Sequence, residues 1–359
     1  MKNTKKTTKK NTAPHDIYVE CEVLHGLKSF AVKEIKRLFG DQVSIIADND
    51  EESVKCFFAG DARKLLGLRT VVAVYAGANM RIPGPQALVL PHNFQYVISL
   101  IKFAESLHKP RTFASLRFNA AGDESSLFKK LGNNICKVAS LKYYPRDGDH
   151  MLRIRPTEYG EWGWDVLVRL SPRPLSKRSW RVQDMPGAVN ATIASAMVSL
   201  TNPQASDSYI NLMCGSGTLL IERMQLGKPK KMLGIDSSGA SLAMAAANIQ
   251  AAGFTKDIDL KEMDATSLDV RGASFNKIVA DVPWGQLIGT HTENNELYPA
   301  LLREAARIAE QYADFIVLTH DMVWFEKVLQ AHNFGWNVKA IYQVSQGGKY
   351  PKIYHLKKS

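Results

Sequence analysis

The sequence predicts an α/β protein: an N-terminal α+β module followed by a C-terminal domain built on a parallel sheet. Three observations carry that prediction. Past residue 190 the chain repeats a strand-then-helix order, with SYINLMC, KMLGID, IDLKEM, NKIVAD and FIVLTH as five buried strands. Before residue 170, strands and helices follow one another without that regularity. The charge divides near the same place: residues 1–180 hold 29 Lys and Arg against 18 Asp and Glu, whereas residues 181–359 hold 17 of each. A net charge of +11 confined to one half suits a protein in which that half meets a polyanion and the other does different work.

Taken in order, residues 1–15 (MKNTKKTTKKNTAPH) are too polar to bury themselves and predict a disordered basic tail. IYVECEV predicts a strand, Gly26–Phe39 a helix, KCFFAG a strand, Asp61–Leu66 a short helix and VVAVYAG a strand, with a break at Gly84-Pro85. A second group follows: helix Asn93–Leu107, strand FASLRFNA, helix Glu124–Leu141, and strands MLRIRPTEY and WGWDVLVRL. The C-terminal domain opens with the apolar-faced helix Ala191–Leu200. It closes with KAIYQVS, a Gly347-Gly348 turn and KIYHLKK, a hairpin expected to place one antiparallel strand at the sheet edge. The domains read as a tail at 1–15, a module at 16–182 and a second domain at 183–359.

At 359 residues, 45 % hydrophobic and 23 % charged, the chain has apolar material for two cores. No apolar run approaches the roughly 18 residues of a membrane span, and the N-terminal lysines precede no apolar segment. A soluble, cytoplasmic protein with no membrane partner is expected. Cys21, Cys56, Cys136 and Cys214 lie far apart, and the nine histidines show neither H-x-x-x-H nor H-E-x-x-H spacing. Neither a disulfide framework nor a metal is expected.

The chemistry concentrates at successive strand ends. Cys214-Gly215-Ser216-Gly217-Thr218 follows the first strand of the repeat and opens a helix, where glycines let backbone amides approach a ligand. Alone, G-x-G is a weak signal, and a tight strand-to-helix turn with no ligand is its other reading. The third glycine of a dinucleotide fingerprint falls at Leu220, and no lysine follows to make a P-loop. Asp236 ends the next strand, 19 residues past Gly217, where an acid can take both ribose hydroxyls of a nucleoside. Asp264 follows the third strand, where its carboxylate can accept from an adenine amino group. Three such positions in succession favour an adenosine-type cofactor over three unrelated caps.

Asp281-Val282-Pro283-Trp284-Gly285 ends the fourth strand. The exocyclic amine of a nucleobase is a poor nucleophile because its lone pair is delocalised into the ring. A carboxylate and a backbone carbonyl that accept its two N–H groups aim that lone pair at a methyl donor, with proline fixing the turn and an aromatic ring stacking on the base. An ordinary β-turn is the other reading of these residues.

NLMCGSGTLLIE resembles the D-P-x-C-G-S-G-T-x-x-I-E cofactor motif of class I RNA methyltransferases, and ADVPWG resembles their [DNS]-[LIP]-P-[FYW] catalytic motif. LSKRSWRV followed by PGAVNATIASAM is similar to the element and helix preceding the cofactor motif in enzymes with an N-terminal THUMP domain. The resemblance covers residues 17–359, is strongest from Leu175 to Gly289, and is closest to the branch that makes N2-methylguanosine at position 6 of tRNA. It implies a Rossmann-like class I methyltransferase domain behind a ferredoxin-like lead and a THUMP core. It also implies S-adenosyl-L-methionine as cofactor and tRNA as partner; the sequence leaves the oligomeric state open, with a monomer favoured.

Carried onto this chain, the resemblance implies cofactor contacts at Thr192, Asn211, Gly215, Gly217, Thr218, Asp236, Ser237, Asp264 and Ala265, and catalytic roles for Asp281, Val282, Pro283 and Trp284. Asn211 stands where the family usually has aspartate, which removes a charge near the methionine end of the cofactor. Val282 replaces the first proline of the D-P-P-Y form that dominates among adenine-N6 enzymes, which favours guanine. For RNA, the candidates are Arg117, Lys129, Lys130, Lys137, Arg173, Lys177, Arg178 and Arg181, because such side chains dominate phosphate binding; each also reads as solvated surface. The rivals are a methyltransferase of ribosomal RNA (guanine-N2 or nucleobase-N6), DNA or a protein glutamine, and a catalytically silent RNA-binding protein.

Overall fold

The computed structural model describes residues 16–157, 162–282, 291–332 and 334–359. The basic tail lies outside the described residues. The chain divides into two units: residues up to Glu22 with Val32–Leu68 and Ala73–Pro174 form the first, and Val23–Ala31, Arg69–Val72 and Leu175–Ser359 form the second.

The first unit is built on one eight-stranded sheet. Its elements are β1 (Ile17–Glu22), α1 (Lys28–Phe39, whose first turn groups with the second unit), β2 (Val43–Ile45), β3 (Ser53–Phe58), β4 (Ala73–Met80), α2 (Pro91–Ser106), β5 (Ser115–Ala120), α3 (Ser126–Ala139), β6 (Lys142–Tyr143), β7 (His150–Pro156) and β8 (Trp164–Arg169). The strand order is β2-β3-β1-β4-β8-β7-β5-β6. Its first four strands, with β1 antiparallel to both β3 and β4, form the split arrangement of a ferredoxin-like fold. The second helix of that arrangement is reduced to a 3-10 helix, Ala62–Gly67, capped by Asp61, which accepts the Arg63 N–H at 3.1 Å. Six residues ending in glycine cannot complete two α-turns, so the helix expected there takes the tighter form. Pairing of β4 with β8 carries the sheet into the second group, where β5 runs parallel to both β6 and β7.

The second unit contains α4 (Ala191–Leu200), β9 (Ser208–Leu212), α5 (Thr218–Gln225), β10 (Lys231–Asp236), α6 (Gly239–Ala251), β11 (Asp259–Glu262), β12 (Phe275–Asp281), α7 (His291–Ile308), β13 (Ala309–Thr319), α8 (Met322–Ala331), β14 (Trp336–Gln343) and β15 (Lys352–Lys358). The strand order is β11-β10-β9-β12-β13-β15-β14, and the first five strands run parallel. The antiparallel strand is β15, and it lies one position inside the edge, between β13 and β14. This corrects the expected edge placement. Ile353, Tyr354, His355 and Leu356 are all buried, whereas Asn337, Val338 and Lys339 of β14 are exposed, so β14 tolerates the edge and β15 does not.

The core alternates along the strands, with Ile210, Leu212, Ile278, Ala280, Phe315, Val317, Tyr354 and Leu356 meeting Tyr298, Leu301, Leu302 and Ala305 of α7. The segment Val23–Ala31 docks at the end of β14, where Phe30 meets Tyr342 with ring centroids 4.9 Å apart. Gly26 has φ +85° and approaches Gln343 so closely that an added Cβ would stand 1.9 Å from its carbonyl oxygen. Ser345 N–H donates to the His25 carbonyl at 3.1 Å. No helix among the described residues is long and apolar enough to cross a membrane.

His150 of the first unit is fully buried and stacks on Phe113 with ring centroids 4.0 Å apart. Burial, against the pull of Asp149, pushes its pKa down to about 4. The unfolded chain therefore takes a proton near pH 6.5 that the folded state refuses until about pH 4. The contribution is constant above pH 6.5 and is lost as the pH falls between these values, by up to about 3 kcal/mol. Urea unfolding of the wild type and His150→Phe across pH 4–7 should show this slope in the wild type only.

Candidate active site

Parallel pairing brings the ends of β9, β10, β11 and β12 to one edge of the sheet. The turn after β9 is held by Cys214 N–H donating to Ile235 O (2.7 Å) and Gly217 N–H donating to Cys214 O (2.9 Å). Gly215 and Gly217 adopt φ of +52° and +82°, and Met213 stands at +55°, an uncommon and costly conformation for a residue with a side chain. At the end of β10, Asp236 Oδ2 accepts the Gly215 N–H at 2.9 Å and Oδ1 accepts the Ser238 N–H at 3.0 Å. The carboxylate is thus fixed in place while each oxygen keeps a lone pair for a ligand hydroxyl. Met263 N–H donates to Asp236 O (3.1 Å), so the residues after β11 follow that strand end closely. Asp264 Oδ1 accepts both the N–H and the hydroxyl of Thr266 at 2.8 Å. After β12, Val282 N–H donates to Leu318 O at 3.1 Å, fixing the backbone beside Asp281.

These ends surround a cavity of about 540 Å³, within the range of small-molecule sites. Of the residues singled out in the sequence, it gathers Gly215, Thr218, Asp236, Ser237, Asp264, Ala265, Asp281 and Val282. Pro283 and Trp284 lie outside the described residues. Among the described residues, no group of three His, Cys, Asp or Glu is placed to hold a metal ion.

Three expected cofactor contacts are placed otherwise. Thr192 is fully buried in the first turn of α4, its hydroxyl donating to the capping Asn190 Oδ1 at 2.8 Å. Asn211 is also fully buried, and its amide donates to Leu212 O (3.1 Å) and Val279 O (3.3 Å). A carboxylate there would face two acceptors, which is the physical reason an amide suits the position. Gly217 closes the turn, and an added Cβ would stand 3.3 Å from Ala245 Cβ, so it serves the packing of α6 against the loop.

The cationic candidates also divide. Lys129, Lys130 and Lys137 are exposed on α3, Lys177 is exposed, and Arg117 is half-buried. Arg173 pairs with Asp147. Arg178 departs from the expectation of an RNA contact: it donates to the fully buried Glu222 at 2.9 Å and to the carbonyls of Leu175 and Arg69, both at 2.6 Å. Arg181 departs as well, donating to Thr218 Oγ1 (2.9 Å) and Val189 O (3.0 Å) beside the glycine turn. Both guanidiniums are committed inside the domain. Sequence reasoning missed the apolar walls of the cavity, Met185, Met213, Met263 and Leu297. Met213 and Met263 adjoin the motif residues and could have been found from them; nothing in the local sequence points to Met185.

Residues 178–352 match the RMKL-like methyltransferase domain family. That stretch is an RMKL-like methyltransferase domain. The mouse protein named tRNA (guanine(6)-N(2))-methyltransferase THUMP3 is 29 % identical over 207 residues, covering 54 % of this chain and 41 % of its own length. The Methanocaldococcus jannaschii protein named tRNA (guanine(6)-N2)-methyltransferase is 24 % identical, covering 92 % of this chain and 97 % of its own. The chain therefore spans about two-fifths of the mouse relative and nearly all of the archaeal one. The crystal structure of TrmN from Thermus thermophilus shares the fold, with a TM-score of 0.74 at 19 % identity over 96 % of this chain and all of that one.

Within the methyltransferase domain, Glu222 is balanced by Arg178 and by Arg69, whose guanidinium it accepts at 2.7 and 2.8 Å. Arg178→Ala leaves that carboxylate short of a partner and should lower the stability of the domain by about 3 kcal/mol. Thermal and urea unfolding measure this. An unaltered unfolding midpoint would show that Arg178 is dispensable to the fold.

Proposed function

We propose that the chain is an S-adenosylmethionine-dependent tRNA (guanine-N2)-methyltransferase acting at position 6 of the acceptor stem. The observation that carries this reading is the single cavity in which the glycine turn, Asp236, Asp264 and Asp281 converge. The names of relatives that align over half or more of this chain support the substrate. We assign residues 16–182 to RNA binding and 183–359 to chemistry, in keeping with the basic charge of the first half, and we place the protein in the cytoplasm.

The residues present fit the cofactor. Asp236, anchored by two backbone amides, would accept the ribose hydroxyls, Asp264 the adenine amino group, and the Gly215 turn would border the methionine end. The bound cofactor supplies an electrophilic methyl group on a sulfonium sulfur. Asp281 and the Val282 carbonyl accept the two N–H groups of the guanine amine, which orients its lone pair, and Asp281 takes the proton released on transfer. Because that amine is paired in a stem, the base must leave the stack, and Trp284 is the aromatic side chain assigned to receive it. Lys129, Lys130, Lys137 and Lys177 supply phosphate contacts.

Asp236→Ala removes the ribose acceptor and should weaken S-adenosylmethionine binding by roughly 1.5 to 3 kcal/mol. Calorimetry on the folded variant checks it, and an unchanged dissociation constant excludes this cofactor pose. Asp281→Ala should lower turnover by about 100-fold or more with cofactor affinity nearly unchanged, and Asp281→Asn should retain more activity because its carbonyl still accepts one N–H. Nucleoside mass spectrometry of tRNA methylated by the purified protein should find N2-methylguanosine; methyladenosine as the sole product would reject the substrate, and full activity in Asp281→Ala would reject the mechanism.

A further inference from the structure

Asn248 is a fully buried polar side chain on α6 that takes no part in the chemistry above. Its amide makes every hydrogen bond an amide can make. Oδ1 accepts the N–H of Val182 (2.9 Å) and of Gln183 (2.8 Å), while Nδ2 donates to the carbonyls of Gln183 and Ser216, both at 3.0 Å. Three of these bonds hold the extended segment before the domain's first helix. The fourth holds the glycine turn itself. One side chain therefore ties the segment Arg181–Met185 to the loop between β9 and α5.

One end of that segment lines the cavity and the other holds a residue that does. Arg181 donates to Thr218 Oγ1 at the head of α5 (2.9 Å), and Met185 stands where a Cβ on Gly215 would come within 2.9 Å of its Cε. Met185 Sδ also accepts from Ser241 Oγ at 3.9 Å, and Met185, Gly215, Asp236 and Ser241 all line the cavity. The segment is a strap across the glycine turn, and the wall it contributes is apolar.

We propose that Asn248 is a positioning residue for the cofactor, clamping Arg181–Met185 so that Met185 closes the cavity over Gly215. This rests on the cofactor reading above. The geometry selects a near-isosteric test. Asn248→Asp keeps both acceptor roles but turns both donors into acceptors facing the carbonyls of Gln183 and Ser216, so the strap should release without loss of volume. In the full-length protein, calorimetry with S-adenosylmethionine should show affinity weakened about tenfold or more in Asn248→Asp. The KM for S-adenosylmethionine should rise with it, while kcat at saturating cofactor and the KM for tRNA change little. Trypsin should cut after Arg181 faster in the variant than in the wild type, and added cofactor should slow the cut.

Wild type that binds S-adenosylmethionine, together with a folded Asn248→Asp protein that binds it within twofold, overturns the strap and leaves the cofactor reading standing. Wild type that binds no S-adenosylmethionine removes the cofactor reading, and this inference with it. If Asn248→Asp fails to fold, Met185→Ala carries the test with Met185→Leu as its conservative partner. Loss in the first with retention in the second supports the strap, and full affinity in both overturns it.

Discussion

Parallel pairing of β9, β10, β11 and β12 is the constraint on which the methyltransferase domain depends. Parallel neighbours cannot be joined by a hairpin, so each strand must return through a crossover, and all four finish at the same edge. The backbone leaving each strand end is free of the ladder and must find other partners. At the end of β9 that partner is a site side chain, Gly215 N–H turning to the Asp236 carboxylate; at the ends of β11 and β12 the neighbouring strand still serves, with Met263 N–H donating to Asp236 O and Val282 N–H to Leu318 O. The cavity is the space that four crossovers leave at that edge, and the Asp236 carboxylate in it is held by the backbone amides that follow β9 and β10. Moving Asp236 would therefore free the Gly215 N–H and loosen the glycine turn as well as reshape the cavity.

Most of the strands and helices were legible in the sequence, because their periodicity and their glycine and proline punctuation are local. β2 and β6 were not, since three and two residues are too few to display an alternation. The order of the closing hairpin was not legible either. The sequence pattern specifies two antiparallel strands, but which of them pairs with β13 depends on the burial of both faces of β15. At the site, the motif residues converge as a group, whereas Thr192, Asn211 and Gly217 do not line the cavity. Each of the three is a polar or small residue used by its own element, as a helix first turn, an amide between two carbonyls and a turn closure. Spacing along a motif shows which residues are near one another and does not show which way each faces. Met185 and Asn248 were invisible for the opposite reason: their roles come from a segment and a helix that meet only in the folded domain.

Buried charge in the second unit follows one rule. Asp314 on β13 accepts from Lys277 (2.6 Å), Lys357 (3.0 Å) and His355 (2.8 Å). Lys277 and Lys357 are its cross-strand neighbours on either side. Burial alone would raise the pKa of this carboxyl, but the bonds from His355, Lys277 and Lys357 outweigh it and hold it well below the usual carboxylate range. Arg223 and Asp207, both nearly inaccessible, pair at 2.9 Å. Isolated, any of these groups would be costly to bury; in pairs and clusters their hydrogen bonds tie neighbouring strands, and the loop before β9 to α5, in specific positions within an otherwise apolar core.

That rule also decides where a polyanion can be held. The 17 cationic side chains of residues 181–359 are matched one for one by acids, and many are engaged internally, as in Arg223–Asp207, Lys228–Asp257, Lys277–Asp314, Arg307–Glu304 and Lys352–Glu326. A cation already paired with a carboxylate gives up that partner when it meets a phosphate, so it adds little net affinity. Lys129, Lys130 and Lys137 on α3 make no ion pair among the described residues and stand exposed on the half of the chain that carries the whole net charge. A phosphate bound there would release counterions without breaking an ion pair of the described residues. Arg178 and Arg181 differ from these lysines: Arg178 is already held by Glu222 and by the carbonyls of Leu175 and Arg69, and Arg181 by Thr218 Oγ1 and Val189 O, so a count of basic residues overstates the cations free to meet a phosphate in the segment that precedes the methyltransferase domain.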